Sequence, residues 1–295
     1  MTDEQLPKAS EDGPFFRWQI GILTLNGDAL LQACLASIIE HTCHRKDWTV
    51  FVIDDGSEEQ SLRALRQIVP FFEMEAQERG CDGPMFQMAE GRANLGIPDR
   101  WNHLAMSEWT AGFQAQTPYL AFLNNDVQVC PGWLEALEYA IKNNDAGMVC
   151  LNQKPTSIHE GGEGVTVRPA SSGFCFATTR TIYETVGPFD ANYFNFFEDK
   201  DWGIRCWRKG LGCFDIPPEI DHKVGETFRQ NERVLRPDMR MKLSRRLFRQ
   251  KYADGLEDVR QAIESWAKRP FKYLLDGKEL ECYPQKADME VLDVV

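Results

Sequence analysis

Tyr119-Leu120-Ala121-Phe122-Leu123-Asn124-Asn125-Asp126-Val127 is an apolar run that breaks into three polar residues. Tyr119 to Leu123 has the length and aromatic content of a buried strand. A buried strand that stops in two amides and a carboxylate delivers them to the carboxyl edge of a sheet, where open α/β sheets hold their ligands. Pro131-Gly132-Trp133 then opens a helix to about Asn143, with proline near its first turn. An Asp after a strand also serves as an ordinary turn former or helix cap, so the rest of the chain has to decide between the two uses.

Upstream, Trp18 to Leu25 reads as a first strand, Asn26-Gly27-Asp28 as a turn, and the stripe Leu31, Leu35, Ile38 as a helix. Val50 to Ile53 is a second strand. It ends in Asp54-Asp55-Gly56-Ser57, before a helix from about Glu58 to Ile68. Strand and helix alternating at this spacing predict a parallel sheet with helices on its faces. Neither the dinucleotide glycine fingerprint nor the glycine-rich phosphate loop is present. Met85 to Met88 is a short strand candidate, Gly91 to Gly96 a loop, and Pro98 to about Trp109 a helix. Downstream, the pattern predicts strands at Met148 to Leu151 and Ser171 to Thr178, with a polar, glycine-rich loop (Lys154 to Pro169) between them. Thr181 to Val186 is a short helix. Glu198-Asp199-Lys200-Asp201 opens another, and a last strand, Cys213 to Ile216, ends at Pro217-Pro218 shortly before His222.

The bulk numbers exclude several classes. With 43% hydrophobic residues, 18 Phe and 8 Trp, the chain of 295 residues can bury a large core. A net charge of −12 argues against a general nucleic-acid partner. The first residues lack the pattern of a signal peptide, and no apolar run approaches a bilayer span. Nine scattered cysteines without a Cys-x-x-Cys pair read as reduced thiols. The expected location is therefore cytoplasmic, with the inner face of a membrane as a variant.

Three groups of carboxylates fall at element ends: Asp54 and Asp55, Asp126, and Glu198, Asp199 and Asp201. A hard divalent cation takes one or two protein carboxylates and keeps positions open for substrate phosphates. Asp126 with His222 would do this, and one imidazole among oxygens suits Mn²⁺ as well as Mg²⁺. A carboxylate at a helix start, as at Asp199, is held anionic by the dipole and can act as general base. Glu198 and Asp201 could equally be capping that helix.

Thr24-Leu25-Asn26, Val52-Ile53-Asp54-Asp55-Gly56-Ser57, Asn94-Leu95-Gly96, Leu123-Asn124-Asn125-Asp126-Val127, Gly187-Pro188-Phe189-Asp190 and Phe197-Glu198-Asp199-Lys200-Asp201-Trp202, in this order, resemble glycosyltransferase family 2. The resemblance runs from about Trp18 to Phe228 and leans towards rhamnosyl- and galactofuranosyl-type transferases of bacterial surface polysaccharides. It implies a GT-A, Rossmann-like α/β fold with a mostly parallel central sheet flanked by helices. It further implies that Thr24 and Asp55 bind the nucleotide base, with Asn26, Asp54, Arg92, Asn94 and Asn125 nearby. Asp126 and His222 would hold the cation, Asp199 would be the catalytic base, and Glu198 and Trp202 would line the substrate site. The family's first metal-motif acid is here Asn124, which removes one charge from that site. The implied reaction is metal-dependent, inverting transfer from a nucleoside-diphosphate sugar to a glycan or lipid-linked acceptor hydroxyl.

The expected organisation is a flexible tail over 1–14, a catalytic domain over 15–228 and a mainly helical C-terminal extension over 229–295. Arg229 to Lys251 carries nine Lys or Arg against Glu232 and Asp238. Met239, Leu243 and Leu247, four apart, predict a basic amphipathic helix. Its basic face is either simply solvated or rests on an anionic membrane through 238–250. Two rival readings are a sugar nucleotidyltransferase, which would need a glycine- and arginine-rich loop after the first strand, and a non-catalytic nucleotide-sugar or glycan-binding module.

Overall fold

β1 (Trp18–Thr24), β2 (Trp48–Asp54) and β4 (Tyr119–Asn124) are apolar on both faces because helices cover both sides, as a parallel sheet requires. The computed structural model describes residues 17–81, 86–106, 118–155, 164–170, 173–286, 289 and 292. The expected tail over 1–14, most of the loop between Lys154 and Pro169, the start of the strand expected from Ser171, and the helix end near Trp109 lie outside these residues.

β3 (Phe86–Ala89), β2, β1 and β4 pair in parallel in that order. β8 (Cys175–Thr179) runs antiparallel between β4 and β6 (Ala146–Gln153), and β9 (Gly212–His222) is parallel to β6. The two-residue strand β5 (Val127–Gln128) pairs with the end of β9, and β7 (Thr166–Val167) lies on its far side. The result is a large mixed α/β sheet, order β12-β7-β9-β6-β8-β4-β1-β2-β3 with β12 (Gln285–Lys286) supplied by the C-terminal region.

α1 (Asp28–Thr42) and α2 (Glu59–Glu78) follow the first two strands. α2 runs well past Ile68, because Phe72 and Ala76 continue the buried stripe of Leu65 and Val69 through Pro70. Packing thus outweighs the hydrogen bond that a proline removes. α3 (Ile97–Met106) seats Leu104 on Gly21 of β1, where any Cβ would overlap the leucine methyls. Next to it Trp101, Phe122, Phe176, Phe189 and Trp202 form one aromatic cluster. α4 (Trp133–Asn143), α5 (Arg180–Val186) and α6 (Glu198–Arg208) complete the region.

β9 corrects one expectation. The strand does not stop at Ile216 but steps over the prolines, with Leu151 opposite Ile216 and Asn152 opposite Glu219. A proline cannot donate to the ladder, and the break in register absorbs both of them. The resumed strand carries His222 to a position opposite Val127.

After β9 come the short helices α7 (Glu226–Gln230) and α8 (Glu232–Leu235), then α9 (Pro237–Lys251) and α10 (Glu257–Trp266). The hairpin β10 (Phe271–Leu275) and β11 (Lys278–Cys282) packs beside α4. α9 forms, but with a different inner face: Ser244 and Phe248 are buried, whereas Met239 and Leu243 of the expected apolar stripe are exposed. All nine cysteines are free thiols, and Cys43 and Cys81 touch at 3.1 Å between sulfurs.

Candidate active site

The register of the parallel strands sets Thr24 level with Asp54, and Leu23 level with Asn124, so three strand ends open on one edge. Between them lies a cavity of about 330 Å³, floored by Thr24, Asp55, Asn125 and Asp126 and walled by Phe196 and Phe228. The neighbouring Asp54 and Asp55 have different tasks there. Asp54 accepts the amides of Gly56 and Ser57 and so fixes the turn. Asp55 accepts Leu95 N and Gly96 N at 2.8 and 3.1 Å and Arg100 Nε at 2.7 Å, which ties the β2 end to the Asn94 loop. Burial raises its carboxyl above the ordinary value, while these donors pull it back. Gly96 is needed at that loop, with φ of +89° and Phe194 O where a Cβ would sit. Asn94 has both side-chain amide atoms buried without a hydrogen-bond partner, and Arg92 is exposed on the same loop.

The cavity has a roof from the region beyond β9. Thr227 Oγ1 donates to Asn125 Oδ1 at 2.8 Å, and Asn125 Nδ2 donates to Thr24 Oγ1 at 3.0 Å. Asn231 Nδ2 donates to Leu25 O, and Asn231 Oδ1 accepts from Asn26 Nδ2, both at 2.8 Å. Asn26 itself bonds Ser57 and Glu58 across the turn, so its amide is spent on structure. Phe228 of the roof stacks on Phe196 with centroids 4.8 Å apart.

At the far end of the floor, His222 Nε2 lies 3.4 Å from Asp126 Oδ1. His222 stacks on Phe174, and its Nδ1 lies 3.2 Å from Gln153 Oε1. In the tautomer that donates Nδ1–H to Gln153 Oε1, the Nε2 lone pair faces the carboxylate. Asp126 Oδ1 is buried and accepts no hydrogen bond. In that tautomer two electron-pair donors face each other, an arrangement that fits a cation. One carboxylate oxygen and one imidazole nitrogen suit Mn²⁺ or Mg²⁺. Among the described residues no group of three or more His, Cys, Asp or Glu gathers, so a cation here would need further oxygens from its ligand.

Asp199 sits in the first turn of α6, with its own Oδ1 accepting Lys200 N at 2.8 Å and Lys200 Nζ 3.8 Å away. Gly173 packs directly against this carboxylate, and a Cβ there would press on Oδ2 at 3.2 Å. Glu198 points inward: it is buried, Oε2 has no partner, and burial together with the Asp199 charge pushes its carboxyl up to about 8. Asp201 is fully enclosed between Arg205, Tyr252 and Lys251. Trp202 presents no face to the cavity; it is 0% exposed, bonds Gly187 O and packs on Phe189. The edge thus brings together Thr24, Asp55, Asn125, Asp126 and His222, while Trp202 belongs to the core.

The sequence matches glycosyl transferase family 2 over residues 19–192. The chain belongs to glycosyl transferase family 2. No curated protein matches it. Among solved structures it resembles GalNAc-T7 with UDP, GalNAc and Mn²⁺ (TM-score 0.57, 14% identity, 85% of this chain and 55% of that one). It also resembles S. aureus TarS 1-349 (TM-score 0.51, 12% identity, 91% and 97%). A third is the mannosyltransferase PcManGT from Pyrobaculum calidifontis with GDP-Man and Mn²⁺ (TM-score 0.53, 16% identity, 90% and 79%). The chain therefore spans just over half of the GalNAc-T7 chain and has the GT-A fold.

This family 2 chain also uses residues that sequence reading passed over. Arg100, Asn195, Thr227 and Asn231 all bond across the site, and Asn195 Oδ1 accepts Ile97 N at 3.3 Å. None of the four stands in a sequence pattern that carries chemical meaning by itself.

Proposed function

We propose that the chain is a metal-dependent, inverting glycosyltransferase. It moves a hexosyl or deoxyhexosyl group from a nucleoside-diphosphate sugar to an acceptor hydroxyl in polysaccharide or glycoconjugate synthesis. The observation that carries this reading is the unpartnered Asp126 oxygen facing His222 at the end of a roofed cavity. The neighbours solved with UDP or GDP-Man and Mn²⁺ support the same class of donor.

In this reading Thr24 and Asp55 hold the nucleotide end, Arg92 and Asn94 line it from the loop, and Asn125 links floor to roof. Asn94 has two amide atoms to offer, and Asp55 keeps its place through Arg100. Asp126 and His222 hold the cation, which when bound offsets charge on the leaving diphosphate. Asp199 takes the proton of the acceptor hydroxyl as that oxygen attacks the anomeric carbon. Glu198, kept neutral by burial up to about pH 8, adds no second negative charge beside the base. A single displacement inverts the anomeric configuration.

The test is a thermal-shift panel of nucleoside diphosphates, with and without Mn²⁺, on the wild type and Asp126→Ala, followed by nucleotide-sugar hydrolysis. A metal-dependent rise in Tm with one base, lost in the variant, is the expected result. No rise with any nucleotide would overturn the donor site, and a rise without turnover would favour a binding module.

A further inference from the structure

α9 is seated on the loop that leads to Asp199. Ser244 Oγ lies 2.9 and 2.8 Å from the carbonyls of Tyr193 and Asn195, and Phe248 packs on Phe197. The Arg240 guanidinium covers the Phe194 ring at 3.2 Å. The opposite side of the helix carries Lys242, Arg245, Arg246 and Arg249, all exposed, around a groove of about 440 Å³. Leu243 and Met239 stand beside these cations at 56% and 45% exposure. Asp238 is the one acid of the helix, and Asp254 lies just beyond its end. A protein of net charge −12 thus gathers cations and apolar side chains on one outward face.

We propose that this face of α9 docks the protein on an anionic lipid surface and so presents the Asp199 loop to an acceptor carried in that surface. The cations meet lipid phosphates, and Leu243 and Met239 enter the headgroup layer, as interfacial helices do. Those two apolar side chains favour a bilayer over a soluble polyanion, which would engage the cations alone. The loop lies within one helix diameter of the face, about 10 Å, so docking brings the base close to the headgroups. Docking stands independently of the glycosyl-transfer reading; presentation of the acceptor rests on it.

The experiment is co-sedimentation of the full chain with phosphatidylcholine vesicles and with vesicles rich in phosphatidylglycerol. The wild type, Arg245→Glu/Arg246→Glu and Leu243→Ser are compared, each also assayed for the Mn²⁺-dependent nucleotide shift. Expected are binding to the anionic vesicles only, loss in high salt, and at least about tenfold weaker binding in the double variant. Leu243→Ser should also bind more weakly, with the nucleotide shift unchanged in both variants. Equal sedimentation of wild type and double variant would overturn the proposal. So would failure to bind anionic vesicles, or binding to soluble polyphosphate alone. A missing nucleotide shift with normal sedimentation would count against the donor site and leave the docking face standing.

Discussion

Asp126 Oδ1 and His222 Nε2 lie 3.4 Å apart, and the oxygen, though buried, accepts no hydrogen bond. Their closeness depends on β9 resuming after Pro217-Pro218, because only the resumed segment pairs with β5. The pair should therefore fail as a unit. Asp126→Ala and His222→Ala are each expected to abolish the Mn²⁺-dependent part of the nucleotide shift, worth about 2.7 kcal/mol at a hundredfold excess over Kd. Chelation of the wild type should give the same result. Gln153→Leu, which frees the His222 ring, should weaken the metal dependence without abolishing it. Isothermal titration with Mn²⁺ and nucleotide checks all three.

The roof should contribute to donor affinity. Asn231 is 4% exposed and, bonded to Leu25 and Asn26, anchors the segment that carries Thr227 and Phe228. Asn231→Ala should leave those groups unmatched at about 1–3 kcal/mol and raise the nucleotide Kd. Thr227→Val, which keeps shape and removes the donor to Asn125, should raise Kd more than it lowers the urea midpoint. An unchanged Kd in both would deny the roof a binding role.

Asp201 holds the C-terminal region to α6. Its oxygens, themselves fully buried, meet Arg205 at 2.9 Å, Tyr252 at 2.8 Å and Lys251 at 2.6 Å. Asp201→Ala leaves Arg205 without a carboxylate and Lys251 with Asp190 alone, and should destabilise the fold by about 3 kcal/mol. Urea denaturation measures this directly. The Mn²⁺-dependent nucleotide shift should persist wherever the variant remains folded.

Glu198 predicts a pH dependence of stability. Its folded carboxyl is raised to about 8 from an ordinary 4.5, burial being the main cause. The folded state therefore holds a proton that the unfolded chain releases, and the associated stability is complete below about pH 4.5. That stability is lost as pH rises through 8. Glu198→Gln removes this titration, so it should gain stability relative to wild type at pH 9 and gain least near pH 5. Melting curves across that range, in a chelated buffer, provide the check.

Much of this architecture is legible in the sequence because the strands are fully buried: Tyr119 to Leu123 and Val50 to Ile53 are apolar runs that stop at polar residues, and the site begins where they stop. Adjacent residues of one type are harder to separate. Asp54 and Asp55 look alike in the chain, yet one closes a turn and the other anchors a loop, according to the faces on which successive residues point. Trp202 reads as a lining residue of the substrate site only until the aromatic cluster encloses it. The inner face of α9 is misread by hydrophobic spacing because Ser244 packs against bare carbonyls, a polar contact that periodicity cannot register. The roof is invisible for another reason: Asn26 and Asn231 are separated by 205 positions, and no local pattern links them.

That separation also sets an order in time. A growing chain that has only the family-matched residues 19–192 has the strands of the floor but lacks His222, Thr227 and Asn231. Synthesis must pass residue 231 before the cavity acquires its ion-facing histidine and its cover. Capture of donor by a nascent polypeptide would accordingly report that its translation has gone beyond that point.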